Sequence, residues 1–149
     1  MQNVQIIEIP ACKMVSSGVG MFDEGVLEAF DQWFSTLPRG IFPKDFLFWD
    51  TSCPEKPGFR WLYLYEEGMD VPEEFEIIDF SGGLYAVATD IDEQTDMDEI
   101  NAGVNAFLAA HGMERDPSRP DMGNVITSPL GKKLLGYNQT YYWTPVKQK

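Results

Sequence analysis

The chain is strongly acidic for its length of 149 residues, with 24 Asp and Glu residues against 11 Lys and Arg residues and a net charge of −13. This charge argues against direct binding of nucleic acid, because phosphate neutralisation requires a cluster of basic side chains. The hydrophobic content of 44% is ordinary for a globular protein, and the length predicts a single domain over residues 1–149.

The sequence also predicts a cytoplasmic protein that carries no metal and no cofactor. The N-terminus lacks a basic stretch followed by an apolar core, and no apolar run reaches the length of a membrane span. Cys12 and Cys53 lie far apart without CxxC spacing, and His111 is the single histidine. We expect reduced cysteines that are buried or nearly so, and a histidine that contacts the end of a helix.

The first half of the chain predicts two strands, a helix and two further strands. Residues 4–9 form a β-type run, which bends at Pro10 and continues from Cys12 to a turn at 16–18. An amphipathic helix follows, because apolar residues recur at three- and four-residue steps. The apolar stripe consists of Phe22, Val26, Phe30, Trp33, Phe34 and Leu37. Aromatic strands are then predicted at 45–50 and 59–65.

The second half repeats this order after an acidic connector at 66–74. Strands are predicted at 75–80 and 84–89, and Asp96 with Glu99 indicates the start of a helix that ends at Gly112. A strand at 122–127 precedes the last aromatic strand, which ends near Pro145 because proline interrupts a sheet ladder.

The two halves also match in spacing. Residues 5–11 resemble 76–82, and the apolar stripes of the two helices have identical internal spacing. The sequence therefore predicts an α+β fold built as a tandem pseudo-twofold repeat of strand-helix-strand-strand units, at about 1–70 and 71–149. We expect an antiparallel sheet with two helices on one face and an aromatic groove on the other.

Aromatic side chains alternate along two of the predicted strands and so share one face of each. Rings with a polar tip suit a surface that accommodates a guest, which predicts a ligand pocket. The predicted ligand-binding residues are Trp49, Trp61, Tyr63, Tyr65, Tyr85, Tyr141 and Trp143. The alternative is that these faces pack against each other or against a second copy. The helical residues Phe30, Trp33 and Phe34 are predicted to be core.

Three carboxylates, Asp50, Glu66 and Asp79, lie at strand ends and are candidate counter-ions for a charged ligand. The alternative is that they form a solvated rim. The alternating aspartates at 90–98 resemble a calcium loop but lack its central glycine and closing glutamate, so we predict a helix-capping turn. No residue is predicted to be catalytic.

The chain resembles the GyrI-like small-molecule-binding domain, also called the effector-binding domain of AraC-type regulators. The resemblance rests on the tandem order and on three segments, Gly83–Val87, Met122–Ile126 and Tyr142–Lys147. It implies a sensor fold whose groove takes bulky, often cationic or aromatic compounds. Members of this family are joined to helix-turn-helix domains or stand alone, some inhibit DNA gyrase, and a subset hydrolyses cyclopropane-containing genotoxins.

The chain departs from the family pattern at Tyr141. Many members have a glutamate at this position, where it meets a ligand's positive charge or serves the hydrolytic chemistry. A tyrosine carries no charge near neutrality, so this chain lacks that counter-ion and that acid or base. The segment before Val4 is too short for a helix-turn-helix, and we expect the chain not to be a complete regulator.

These features predict a stand-alone protein that binds a bulky aromatic or amphipathic compound, either neutral or cationic, as a multidrug sensor or a sequestering module related to transcription regulation. One alternative is a hydrolase of the cyclopropanoid type. The other is an acidic protein-interaction module of the gyrase-inhibitor type. The expected partners are a small molecule and either a DNA-binding protein or a second copy of the chain, with no direct nucleic-acid or membrane binding.

Overall fold

A computed structural model describes residues 3–149, which form nine strands and three helices. In chain order these elements are β1 (Val4–Ile9), β2 (Cys12–Gly20), α1 (Val26–Phe34), β3 (Asp45–Asp50), β4 (Gly58–Leu64), β5 (Glu76–Phe80), β6 (Gly83–Ile91), α2 (Met97–Ala110), β7 (Met113–Arg115), β8 (Met122–Val125), α3 (Pro129–Leu135) and β9 (Gln139–Gln148). The strands pair antiparallel within each of the two units described below. Together with the three helices, this antiparallel pairing confirms the predicted α+β class.

The chain divides into two compact units, and the first spans Pro10–Gly82. Its strands pair in the order β3-β4-β2-β5, and α1 packs on one face of this sheet. The buried core between helix and sheet consists of Val15, Phe30, Tyr63 and Phe75. Leu27 and Phe30 form the buried side of α1, whereas Val26 and Phe22 of the predicted stripe are 41% and 43% exposed.

The second unit combines β1 with Gly83–Lys149. Its strands pair in the order β1-β6-β9-β8, and β7 adds to the end of β9. Helix α2 packs through Val104 and Leu108 on the sheet face that carries Val4, Ala86 and Val146. Asp96 caps α2 as predicted, because its carboxylate accepts the backbone N–H groups of residues 98 and 99.

The first strand of each half of the chain lies in the unit formed mainly by the other half. Strand β1 pairs with β6 in the second unit, and β5 pairs with β2 in the first. The chain therefore passes from one unit to the other at Ile9/Pro10 and again at Gly82/Gly83. These unit boundaries differ from the predicted division of the repeats near residue 70.

Three local features differ from the sequence prediction. Residues 16–18 form no turn but a bulge within β2, with Gly18 at a φ of 78°, in the left-handed region that favours glycine. Helix α3 lies between the last two predicted strands, where no helix was predicted, and Ser128 caps it through the N–H of Gly131. Strand β9 continues through Pro145, whose carbonyl accepts from Asp116 N–H. Because the nitrogen and carbonyl of one residue point to the same side of a strand, Pro145 removes no hydrogen bond to β6.

Candidate functional site

The predicted aromatic residues of β4, together with Tyr65 just beyond its end, lie on the sheet face that packs against α1. Tyr63 is buried in the core with Phe30, and Trp61 and Tyr65 pack against the same cluster. The Phe34 ring lies 5.2 Å from Trp61 and 5.3 Å from Tyr63 between ring centroids. The prediction that this face of β4 lies opposite the helix is therefore wrong.

Trp49 lies on the same side as this core. It pairs with Phe59 across β3 and β4, and their rings meet edge to face at a centroid distance of 5.0 Å. Trp49 is 47% exposed. Trp61 donates its indole N–H to Asp45 at 3.0 Å, which satisfies its polar tip inside the protein rather than on a guest.

Three other predicted residues lie together on the face opposite α2 in the second unit. The register places Tyr85 of β6 and Trp143 and Tyr141 of β9 on this face, because Ala86 and Val146 occupy the other. The ring of Trp143 meets Tyr85 at 5.9 Å and Tyr141 at 6.2 Å, both edge to face. Tyr85 is fully buried, Trp143 is 8% exposed and Tyr141 is half-buried. Tyr141 is thus the most accessible ring of the three.

Two residues that sequence analysis did not assign to the ligand site organise this face. Asn124 of β8 is buried beside Trp143 and accepts its indole N–H at 2.9 Å. The guanidinium carbon of Arg119 lies 4.7 Å from the centroid of the Tyr85 ring. The alternation of Met122 and Asn124 opposite Trp143 and Tyr141 could have indicated Asn124, but nothing in the sequence places a loop arginine over a strand tyrosine.

The three predicted counter-ions all have a basic partner in the first unit. Glu66 accepts from Lys44 at 2.6 Å, and Asp79 accepts from Lys13 at 2.9 Å. The Asp79 pair borders a groove of about 410 Å³. This groove is lined by Ala11, Cys12, Lys13, Asp79, Phe80 and Ser81. The negative charge of each predicted counter-ion is therefore already balanced by the protein.

Asp50 is the buried member of the three. Arg60 donates from Nε to Asp50 at 2.7 Å and from Nη1 to the buried hydroxyl of Ser16 at 2.7 Å. Burial acts to raise the pKa of Asp50, but hydrogen bonds from Ser52 and Arg60 outweigh it and hold the pKa below its usual range. Asp50 is thus a permanently charged partner of Arg60 at neutral pH, and not a proton donor.

The other candidate chemistries receive no support from the described residues. Within residues 3–149, no group of three or more His, Cys, Asp or Glu side chains is arranged to hold a metal ion, and no helix is long and apolar enough to cross a membrane. Cys12 is half-buried, and burial raises the pKa of its thiol. Cys53 is exposed, contrary to the prediction. His111 ends α2, where its ring stacks on Phe107 at 4.3 Å.

Comparison with solved structures identifies the fold. The C-terminal domain of EcmrR matches 98% of this chain and 98% of its own length, with a TM-score of 0.63 and 11% identity. The chain shares this fold. This chain also matches 59% of the longer EcmrR chain in an EcmrR–DNA complex, with a TM-score of 0.64 and 11% identity. The chain thus spans little more than half the length of the EcmrR chain in that complex.

Two further structures have the same architecture. A hydrolase from Listeria innocua matches 98% of this chain and 92% of its own, with a TM-score of 0.66 and 11% identity. SAV2435 bound to tetraphenylphosphonium matches 97% and 93%, with a TM-score of 0.53 and 11% identity. No model of a known sequence family matches the chain, and no curated protein does. These neighbours are consistent with the GyrI-like effector-binding fold that the sequence resembles.

Proposed function

We propose that this chain is a small-molecule-binding module, related to the effector domains of transcription regulators, that senses or sequesters a bulky aromatic compound. The observation that carries the proposal is the cluster of Tyr85, Trp143 and Tyr141 on the sheet face opposite α2, in a fold that also occurs in the C-terminal domain of EcmrR. Rings of this kind bind guests mainly through apolar area, at about 25 cal/mol per Å², with about 0.5–1.5 kcal/mol more for each well-oriented ring pair.

The wider context belongs to the same proposal. A surface built from rings tolerates guests of different shape, which supports multidrug sensing. The two units use the same strand order relative to their helices, β3-β4-β2-β5 and β8-β9-β6-β1, which supports the tandem repeat. We place the protein in the cytoplasm, where a DNA-binding protein or a second copy of the chain would transmit the signal.

Tryptophan fluorescence tests the proposal directly. The intact protein is titrated with uncharged and charged triphenyl compounds, and saturable quenching is expected because Trp143 lies within the ring cluster. Trp143→Phe should remove most of the quenching, whereas Trp49→Phe, which changes a ring on the α1 side of the first unit, should retain it. Quenching that survives in Trp143→Phe but disappears in Trp49→Phe would place the site elsewhere, and no quenching by any compound would contradict the proposal.

The hydrolase is the second candidate, because a hydrolase from Listeria innocua has this fold. A hydrolase of this type needs an ionisable group near its guest, and Asp50, the buried carboxylate among the predicted counter-ions, is neutralised by Arg60. Chromatography of the titrated compounds separates the two functions, since a binding module returns them intact. Partner binding through the acidic surface, the third candidate, would instead weaken steeply with salt.

A further inference from the structure

Arg119 is built into the sheet of the second unit next to the aromatic cluster. Its Nη2 donates to the carbonyls of Leu84 at 3.1 Å and Val146 at 2.9 Å, which are paired across β6 and β9. Its Nε donates to Asp116 at 3.3 Å. The side chain is 12% exposed, and its Nη1 is also buried. The guanidinium is thus a fixed part of the fold and not a mobile surface charge.

The backbone leaves space for this guanidinium at Gly83. A Cβ at this position would lie 2.5 Å from Nη1 and 2.7 Å from the guanidinium carbon of Arg119. Gly83 also has a φ of 131°, which side-chain-bearing residues rarely adopt. Because the same guanidinium lies 4.7 Å above the Tyr85 ring, the cation–π contact that this ring offers is made by the protein itself.

No unbalanced charge remains on this face. Among the described residues of β6, β8 and β9 around the aromatic cluster that face away from α2, none is acidic: Tyr85, Val87, Thr89, Met122, Asn124, Tyr141 and Trp143 are all uncharged. Glu114 of β7 also faces away from α2, and it pairs with Lys147 at 3.9 Å near the end of β9. Asp116 balances Arg119 and accepts from the Ser118 N–H and hydroxyl, and these hydrogen bonds from Ser118 hold its pKa below the usual range. A cationic guest would therefore meet no unpaired carboxylate at the aromatic cluster, and an anionic guest would meet an arginine that is already paired.

Most hydrogen-bonding groups of this face also bind partners within the protein. Trp143 donates its N–H to Asn124. The Tyr141 hydroxyl makes no hydrogen bond to the described residues in the structure, so it is available to donate to an acceptor on a guest. Tyr141, the accessible ring of this face, thus offers aromatic surface together with a neutral hydrogen-bond donor, beside the buried rings of Trp143 and Tyr85.

We propose that the aromatic face of the second unit selects uncharged aromatic compounds that carry a hydrogen-bond acceptor, with Arg119 as the residue that excludes cations by occupying the Tyr85 ring. This inference rests on the proposed small-molecule function and specifies its ligand class. Removal of the guanidinium frees a ring face for a cation, and a carboxylate at Tyr141 supplies a counter-ion. Each change is expected to shift the preference towards cations.

The test compares three probes of similar shape and different charge. These are triphenylphosphine oxide, which is neutral with an acceptor oxygen, tetraphenylphosphonium, which is cationic, and tetraphenylborate, which is anionic. Each is titrated into the intact protein at fixed ionic strength, with tryptophan fluorescence as the readout. We expect the wild type to bind the neutral probe about tenfold more tightly than either ion, because only the ions lose hydration without gaining a counter-charge.

Variants connect the preference to named residues. Tyr141→Glu and Arg119→Ala should each raise the relative affinity for tetraphenylphosphonium about tenfold. Arg115→Ala removes the same charge from a side chain that binds Asn101 and Asn105 instead, and it should change nothing. Urea unfolding shows whether Arg119→Ala remains folded. If Arg119→Ala does not fold, Tyr141→Glu still tests the preference for the neutral probe, because Tyr141 is only half-buried.

The outcomes separate this inference from the function on which it rests. Tightest binding of tetraphenylphosphonium to the wild type, or equal binding of all three probes, overturns the selectivity and leaves the binding function standing. Failure of all three probes to bind overturns the proposed function and the selectivity together.

Discussion

Asp50 shows how a residue that sequence analysis takes for a ligand counter-ion becomes part of the scaffold. Its carboxylate lies near the end of β3, where Arg60 of β4 and the N–H of Ser52 reach it at 2.7 and 2.8 Å. Arg60 extends the contact to Ser16 beside the β2 bulge. A buried ion pair with its hydrogen bonds satisfied fixes the alignment of three strands, and removal of one partner leaves an unpaired charge behind.

Asp50→Asn should lower the free energy of unfolding at neutral pH by about 3 kcal/mol, because Arg60 then loses its charged partner in a buried setting. Asp79→Asn breaks the exposed Lys13 pair and should leave the stability nearly unchanged. Urea unfolding of both variants and the wild type measures the difference. Equal stability of Asp50→Asn and wild type would contradict a structural role for the pair.

The depressed pKa of Asp50 also predicts a pH dependence. Its contribution to stability is complete above the pKa of an unfolded aspartate, about 4, and is lost as the pH falls through the lower pKa of the folded state. The wild type should therefore lose stability below about pH 4, and the Asp50→Asn variant should lack this part of the acid response. Urea midpoints measured across this range for both proteins provide the check.

At the scale of elements, α1 and the face of β4 that it covers form one aromatic core. Phe30 is fully buried and contacts Phe75 at 4.9 Å between ring centroids, with Trp33 and Trp61 at 5.5 and 6.3 Å. Phe30→Ala should cost about 3–5 kcal/mol of stability, since it opens a cavity among these rings. The fluorescence of Trp33 and Trp61 should also shift as water approaches them.

Val26→Ala is the matched control within the same helix. Val26 belongs to the apolar stripe read from the sequence but is 41% exposed, so this truncation should cost less than about 1 kcal/mol. Chemical unfolding of the two variants compares the two positions. If Val26→Ala proved as damaging as Phe30→Ala, the helix would bury a different face from the one described.

The elements of this fold are readable from the sequence more easily than the directions in which they face. Periodicity identifies β4 as a strand, but both of its faces are apolar, with Trp61 and Tyr63 on one and Leu62 and Leu64 on the other. Alternation therefore cannot state which face meets α1. In β9, Trp143 and Tyr141 lie opposite α2, but Tyr142 shares the α2 side with Thr144 and Val146, so ring size does not separate the two faces there either.

Short elements depend on local chemistry rather than on periodicity. Helix α3 has seven residues and none of them buried, so it has no apolar stripe to detect. Its cap Ser128, followed by Pro129 at the first turn, and Gly136 in the left-handed conformation were the available signals. The position of Arg119 over Tyr85 depends on tertiary structure alone, because nothing local links a loop residue to a strand more than thirty residues away.

At the scale of the whole molecule, the first strand of each half pairs in the unit formed mainly by the other half. This strand exchange determines which fragments of the chain are stable. The segment 10–82 contains every strand and the helix of the first unit, whereas 1–70 lacks β5 and carries β1 without its partner β6. We expect the 10–82 fragment to keep more native secondary structure and to unfold at higher urea than the 1–70 fragment, because an unpaired strand adds no ladder hydrogen bonds. Circular dichroism in urea measures this, and a more stable 1–70 fragment would refute it.

Because of the strand exchange, the two units are completed at different times during synthesis on the ribosome. The first unit emerges as one uninterrupted stretch, so all its strands are available as soon as Gly82 leaves the exit tunnel. The second unit needs β9, which pairs with both β6 and β8 and is the last of the strands of this unit to be synthesised. At about 5–20 residues per second, the apolar strand β1 spends on the order of ten seconds without a completed sheet. The last strand of this unit to be synthesised thus determines how long its first strand stays vulnerable to mispairing.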